Sequence, residues 1–129
     1  MINNRCITNL LKFINLLQIN STRYQIDEGC QKPYLGPNNN NQCYNTRPIT
    51  IYTKDGSIFE TTYKYNNETN NSSIFRIEKL NNDCVTLLIL RKDNNTYINT
   101  NSYVTINTNC ICAIKCLKDT FVENICNIL

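Results

Sequence analysis

The spacing of apolar residues changes period once along the chain. Ile7, Leu10, Leu11, Ile14 and Leu17 recur three or four apart, with Asn9, Lys12, Asn15 and Gln18 on the other side, which is how an amphipathic helix presents one face for burial. This predicts a short helix within residues 1–18, either docked on the domain or extended as an arm towards a partner. Residues 19–48 are punctuated by Gly29, Pro33, Gly36, Pro37, a run of Asn at 38–41, and Pro48, and read as an irregular loop that carries Cys30 and Cys43. From Ile49 onwards the period is two. Residues 49–53 and 58–65 flank Lys54-Asp55-Gly56-Ser57, predicting a β-hairpin closed at Asp-Gly. Residues 66–73 read as a polar connection. Residues 74–80, 84–91, 96–98, 102–107 and 110–117 follow as further short strands between Asn- and Asp-rich turns, about seven strands in all. The predicted fold is mainly β: an antiparallel sandwich or jelly-roll-like domain over residues 49–117, preceded by one short helix. A tail over residues 118–129, with Phe121, Val122, Ile125 and Cys126, is either a short helix or a strand extension.

A chain of 129 residues makes one domain and can bury a core without obligatory staples. Its 13 Lys and Arg against 10 Asp and Glu leave a net charge of +3 with no basic cluster, so no nucleic-acid partner is expected. The chain has no histidine. It therefore lacks the usual general base, the usual partner of a cysteine nucleophile and the commonest metal ligand; neither enzymatic activity nor a cofactor is expected. The longest apolar run, residues 85–90, is far too short to span a membrane. The apolar N-terminal stretch is interrupted by Asn9, Lys12 and Asn15 and is followed by no small-residue cleavage site, so no secretion signal is expected. Eight cysteines are then made in a reducing compartment, where disulfides are rare.

Three of those cysteines, Cys110, Cys112 and Cys116, occupy even positions in N-C-I-C-A-I-K-C-L. On one regular strand they form a single row of thiols with Ile114 between them. Side chains two apart on one strand face lie about 6.5 to 7 Å apart and run parallel, which suits no disulfide between them. Their partners must come from a neighbouring strand, another chain or a shared metal ion. Zinc held by Cys110, Cys112, Cys116 and one further thiol is the alternative, though C-x-C-x3-C is not the paired knuckle that structural zinc sites favour. A reactive thiol would want a cation beside it, and the one cation in the motif, Lys115, lies on the opposite face. Cys84, just ahead of residues 85–90, is equally well a buried small apolar residue.

Several segments resemble one family, the cysteine-rich spore coat proteins Y and Z and the related exosporium protein ExsY. They are Cys6 with L-K-F-I at 11–14, Gly29-Cys30 with P-Y-L-G at 33–36, N-T-R-P at 45–48, Y-T-K-x-G at 52–56, S-I-F-R-I-E at 73–78, D-C-V-T-L at 83–87 and C-I-C-A-I-K-C-L at 110–117. The resemblance implies a structural protein made in the mother-cell cytoplasm and deposited on the spore surface, in the coat or the exosporium basal layer, as an ordered lattice reinforced by disulfides. It implies cross-linking roles for Cys6, Cys30, Cys84, Cys110, Cys112 and Cys116; for Cys43 and Cys126, outside the matching motifs, that role rests on composition. The implied partners are further copies of the chain, in a hexamer or similar ring extending to a sheet, and other coat or exosporium proteins. A sheet of closed rings needs at least two different self-complementary contacts on each copy.

Overall fold

The computed structural model describes residues 5–27 and 44–125, with side chains described for 5–19 and 44–125. Cys30, Cys43 and Cys126 lie outside the described residues, as does most of the loop expected over 19–48. Helix α1 (Arg5–Asp27) continues beyond residue 18, where the helix was expected to end. The predicted stripe buries Leu11 and Ile14 completely, while Phe13 and Leu16 point outward.

Among the described residues seven strands follow: β1 (Ile49–Thr53), β2 (Thr61–Tyr65), β3 (Glu68–Ser72), β4 (Ile74–Leu80), β5 (Cys84–Asp93), β6 (Thr96–Asn107) and β7 (Ile111–Cys116). Five form one antiparallel sheet in the order β6-β5-β4-β1-β7, and β2 and β3 form a separate pair. β5 explains the apolar run at 85–90, because both of its faces are covered. Val85, Leu87 and Ile89 meet Leu11 and Ile14 of α1, together with Ile49, Ile51, Phe75, Ile77 and Tyr63. Leu88 and Leu90 meet Val122 on the other side. The helix and the β2–β3 pair thus cap one face of the sheet, and the chain after β7 caps the other.

Three local expectations change. The Asp-Gly turn after β1 forms, with Gly56 N–H donating to Thr53 O at 2.8 Å and Thr53 N–H to Ser57 O at 2.9 Å, and Tyr52 bridges Ile58. The returning chain then leaves β1: β2 pairs with β3 in register from Thr61–Ser72 to Tyr65–Glu68. Residues 66–73 are therefore not a mere connection. Asn66 and Asn67 both take left-handed backbone, φ 55° and 65°, as a two-residue hairpin turn requires, and Asn tolerates that region better than most residues. The strands expected at 96–98 and 102–107 are one strand, β6, interrupted by a register shift opposite Leu88–Leu90 where Asn101 has φ 63°.

Replacing Leu11 by Ala opens a cavity between α1 and the sheet and is expected to cost about 2–5 kcal/mol. Phe13→Ala, at a position 54% exposed, is expected to change stability by less than about 0.5 kcal/mol. Urea unfolding of the two variants beside the parent chain checks the orientation of the helix.

Candidate functional site

The N-T-R-P and F-R-I-E segments, far apart in sequence, meet on the second face of the sheet. Strand alternation sends Phe75 and Ile77 into the core beneath α1 and Arg76 the other way. There Arg76 is 6% exposed, and burying a charge is costly unless it is fully hydrogen-bonded. Its Nε donates to Thr46 Oγ1 at 2.9 Å, Nη2 to the Asn45 carbonyl at 3.1 Å, and Nη1 to Glu78 Oε2 at 2.5 Å. The Thr46 hydroxyl itself donates a hydrogen bond to Asn45 Oδ1 at 2.8 Å. Asn45 in turn clamps Val122, donating from Nδ2 to its carbonyl at 3.0 Å and accepting its N–H at 2.9 Å. Thr46 and Thr120 exchange backbone bonds at 3.1 and 2.9 Å.

Two further pairs of bonds attach this latch to the helix and to the chain after β7. Gln18 donates through Nε2 to the Ile77 carbonyl at 2.8 Å and accepts the Arg47 N–H at 3.0 Å. Arg47 grips Asp119 with two parallel bonds, Nε–Oδ1 at 2.7 Å and Nη2–Oδ2 at 2.9 Å. The bond from Arg47 holds the Asp119 carboxyl below the usual carboxylate range, and the same bond raises Arg47. Sequence reasoning assigned no role to Gln18, Arg76 or Asp119. A charged residue between Phe75 and Ile77 in an otherwise buried strand was the available signal for Arg76.

The five described cysteines are free thiols, and four of them, Cys6, Cys110, Cys112 and Cys116, are exposed; Cys84 is half-buried at the start of β5. The expected single row at 110, 112 and 116 does not form. Cys110 ends a short 3-10 turn over Thr108–Cys110 and precedes the strand. Tyr52 pairs with Ala113 but Thr53 with Ile111, so Cys112 is the extra residue of a β-bulge, which shifts the alternation of side chains. Cys116, opposite Ile49, shares a strand face with Ile114 and Ile51; Cys112 lies at the bulge beside the buried Ile111 and is exposed. Partial burial pushes the Cys116 thiol above its ordinary pKa, with Arg47 pulling it down and Asp119 pushing it up. Among the described residues, no three Cys, Asp or Glu side chains converge where a metal ion would sit, so the zinc alternative finds no cluster there.

Fold and site together define a small antiparallel β protein with a helical cap, its core closed by burial and a buried arginine latch, and its described thiols set mostly at the periphery. The chain belongs to the family described as Spore coat protein Z, which it matches over residues 2–99. That span contains the latch motifs and Cys6, Cys30, Cys43 and Cys84, and it ends before Cys110, Cys112 and Cys116. No curated protein and no solved structure matches the chain. Family membership gives the coarse assignment: a structural protein of the spore coat, deposited at the spore surface among other coat proteins. No helix among the described residues is long and apolar enough to cross a membrane.

Arg76→Leu leaves Thr46, the Asn45 carbonyl and Glu78 without their donor and is expected to cost about 3–5 kcal/mol in urea unfolding, more than a surface arginine could. The Arg47–Asp119 bridge is partly exposed and is worth at most about 1 kcal/mol. Because Asp119 binds its proton less tightly folded than unfolded, that contribution is complete above about pH 5 and is lost as the pH falls through about 4 and below. Asp119→Asn is expected to flatten this acid limb of the stability profile while leaving the difference at pH 7 within about 1 kcal/mol.

Proposed function

We propose that this protein is a self-assembling building block of the spore surface, in the coat or the exosporium basal layer, whose copies form an ordered lattice that inter-subunit disulfides later lock. Cys6, Cys110, Cys112 and Cys116 carry the proposal: they are exposed on α1, a turn and an edge strand, around a core that closes without any disulfide among the described residues. Such a domain folds with its thiols reduced, and oxidation then acts between molecules. Each lock forms when two thiols surrender two electrons and two protons to molecular oxygen, giving one disulfide and one peroxide. That step waits until the layer leaves the reducing mother cell, which reconciles eight cysteines with cytoplasmic synthesis. Cys30 and Cys43, in residues 19–48, and Cys126, in the 118–129 tail, extend the set, and Cys84 joins it where a neighbour can reach a half-buried thiol. The lattice is built from a hexamer or similar ring that contacts its neighbours and other surface-layer proteins.

Oxidised assemblies run on a denaturing gel without reductant are expected to give a ladder that collapses to one 15.0 kDa band once reductant is added. A Cys6→Ser, Cys110→Ser, Cys112→Ser, Cys116→Ser variant is expected to retain ordered arrays by electron microscopy and to lose most of the ladder. Native assemblies that detergent alone disperses to monomers would sink the covalent lock.

A further inference from the structure

Resting on the self-assembly proposed above, we infer that the outer face of α1 is a surface on which the chain pairs with a second copy of itself, helix alongside helix in the same direction, so that Cys6 meets Cys6 of the other copy. α1 carries two stripes. Ile7, Leu11, Ile14 and Gln18 face the sheet. Cys6, Asn9, Phe13 and Leu16 are all exposed and, at about 100° per residue, lie roughly 150° away around the helix. A second helix reaches that outer stripe from the side opposite the sheet.

Phe13 and Leu16 are 54% and 57% exposed, and neither joins an apolar cluster of the domain. The spacing 6, 9, 13, 16 alternates three with four, which is the a and d rhythm of a seam between two helices. Cys6 and Phe13 occupy one of those positions and Asn9 and Leu16 the other. No charged residue lies within the stripe. Lys12, also exposed, flanks it.

The order of these side chains favours a second copy as the occupant and fixes its direction. About a two-fold axis running along the helices, every position of the stripe meets its own equivalent. Phe13 then packs on Phe13 and Leu16 on Leu16, while the two Asn9 amides share a hydrogen bond, one donating and the other accepting. A single polar position of this kind sets register. Turned antiparallel on the same stripe, Asn9 would face Phe13 and Cys6 would face Leu16, and burying an amide without a partner is costly. That arrangement would also bring the two Lys12 side chains together, whereas the parallel one keeps them on opposite sides of the seam.

Packed helices whose Cα atoms lie on cylinders of about 2.3 Å radius bring facing Cα atoms to roughly 5–6 Å, a separation that a disulfide spans. Cys6 and its equivalent each give one electron and one proton to molecular oxygen: two S–H bonds break, one S–S bond forms, and the oxygen leaves as hydrogen peroxide. Four side chains per copy bury far less than the roughly 1,600 Å² of a standard interface. The seam is therefore weak by itself, and the disulfide makes it permanent. Cys110, Cys112 and Cys116 lie on other elements, so one copy keeps the second, different contact that an extended layer needs.

The test lets the full chain assemble and oxidise in air, blocks the remaining thiols, and digests it with trypsin without reductant for mass spectrometry. Cleavage after Arg5 and Lys12 releases Cys6 in C-I-T-N-L-L-K, and that peptide joined to itself comes only from two copies. Most of the oxidised Cys6 is expected in this form. Phe13→Lys and Phe13→Glu, each at an exposed position, are each expected to lower the yield of the self-linked peptide at least about tenfold, and an equimolar mixture of the two is expected to restore it. Restoration in the mixture also shows that both variants are folded. Cys6 joined mainly to another cysteine, a parent-like yield in either variant alone, or a mixture no better than its components overturns the helix contact. A disulfide ladder that forms without the self-linked peptide overturns this contact while leaving the covalent lattice standing; a chain that gives no ladder overturns both.

Discussion

The buried guanidinium of Arg76 is the constraint on which the second face of the sheet depends. Desolvating it is expensive, and it is tolerated because Nε, Nη1 and Nη2 all find oxygen acceptors, from Thr46, Glu78, the Ile77 carbonyl and the Asn45 carbonyl. The two side-chain acceptors, Thr46 and Glu78, could not simply be exchanged for apolar groups, because either change would take an acceptor from a guanidinium in a dry site. The arrangement therefore specifies which stretch of chain covers β4. Only a segment offering a carbonyl and a hydroxyl in succession, as Asn45 and Thr46 do, completes the set, and Asn45 then fixes Val122 over Leu88 and Leu90. Burial supplies most of the driving force for closing this face, while the polar set decides its register.

The first face is organised by a less selective force. α1 and the β2–β3 pair bury Leu11, Ile14 and Tyr63 against strands that supply Ile, Val, Leu and Phe, where many side chains of similar volume would pack. Gln18 joins the two systems, since its amide spans the Ile77 carbonyl and the Arg47 N–H. A helix held by apolar contacts alone could shift along its axis by a turn at modest cost. With Gln18 committed at both ends of its amide, such a shift would break one buried and one partly buried bond.

Much of this architecture was legible in the chain. The helical phase of Leu11 and Ile14, the mainly β character from Ile49 on, and the strands at 74–80 and 84–91 follow from periodicity, which reports burial directly. What periodicity missed was decided by backbone geometry or by distant contacts. β3 has the sequence E-T-N-N-S, a poor strand by propensity; it pairs because Asn66 and Asn67 turn the chain back upon T-T-Y-K-Y. The bulge at Cys112 is a matter of one residue, and a single residue is enough to break the regular alternation that an evenly spaced row of thiols needs. The latch was visible as two motifs, N-T-R-P and F-R-I-E, but their physical connection spans about thirty residues and could not be inferred from either alone.

The position of Cys116 bears on how a thiol at this periphery would behave. Its neighbours on the chain are tied back, with Leu117 N–H donating to the Pro48 carbonyl at 2.8 Å and Asp119 held by Arg47, so the thiol sits close to the arginine latch rather than on a free tail. Burial raises its pKa more than Arg47 lowers it, and Asp119 adds to the rise. The thiolate is the form that attacks a disulfide or is oxidised. Near neutral pH Cys116 therefore spends less time in that form than an ordinary thiol would, although it is exposed. In the lattice proposed above, a partner copy that placed a cation beside the sulfur would lower that barrier. Reaction at this position would then follow docking instead of preceding it, so that contacts formed by burial and hydrogen bonding choose the partner before a covalent bond makes the choice permanent.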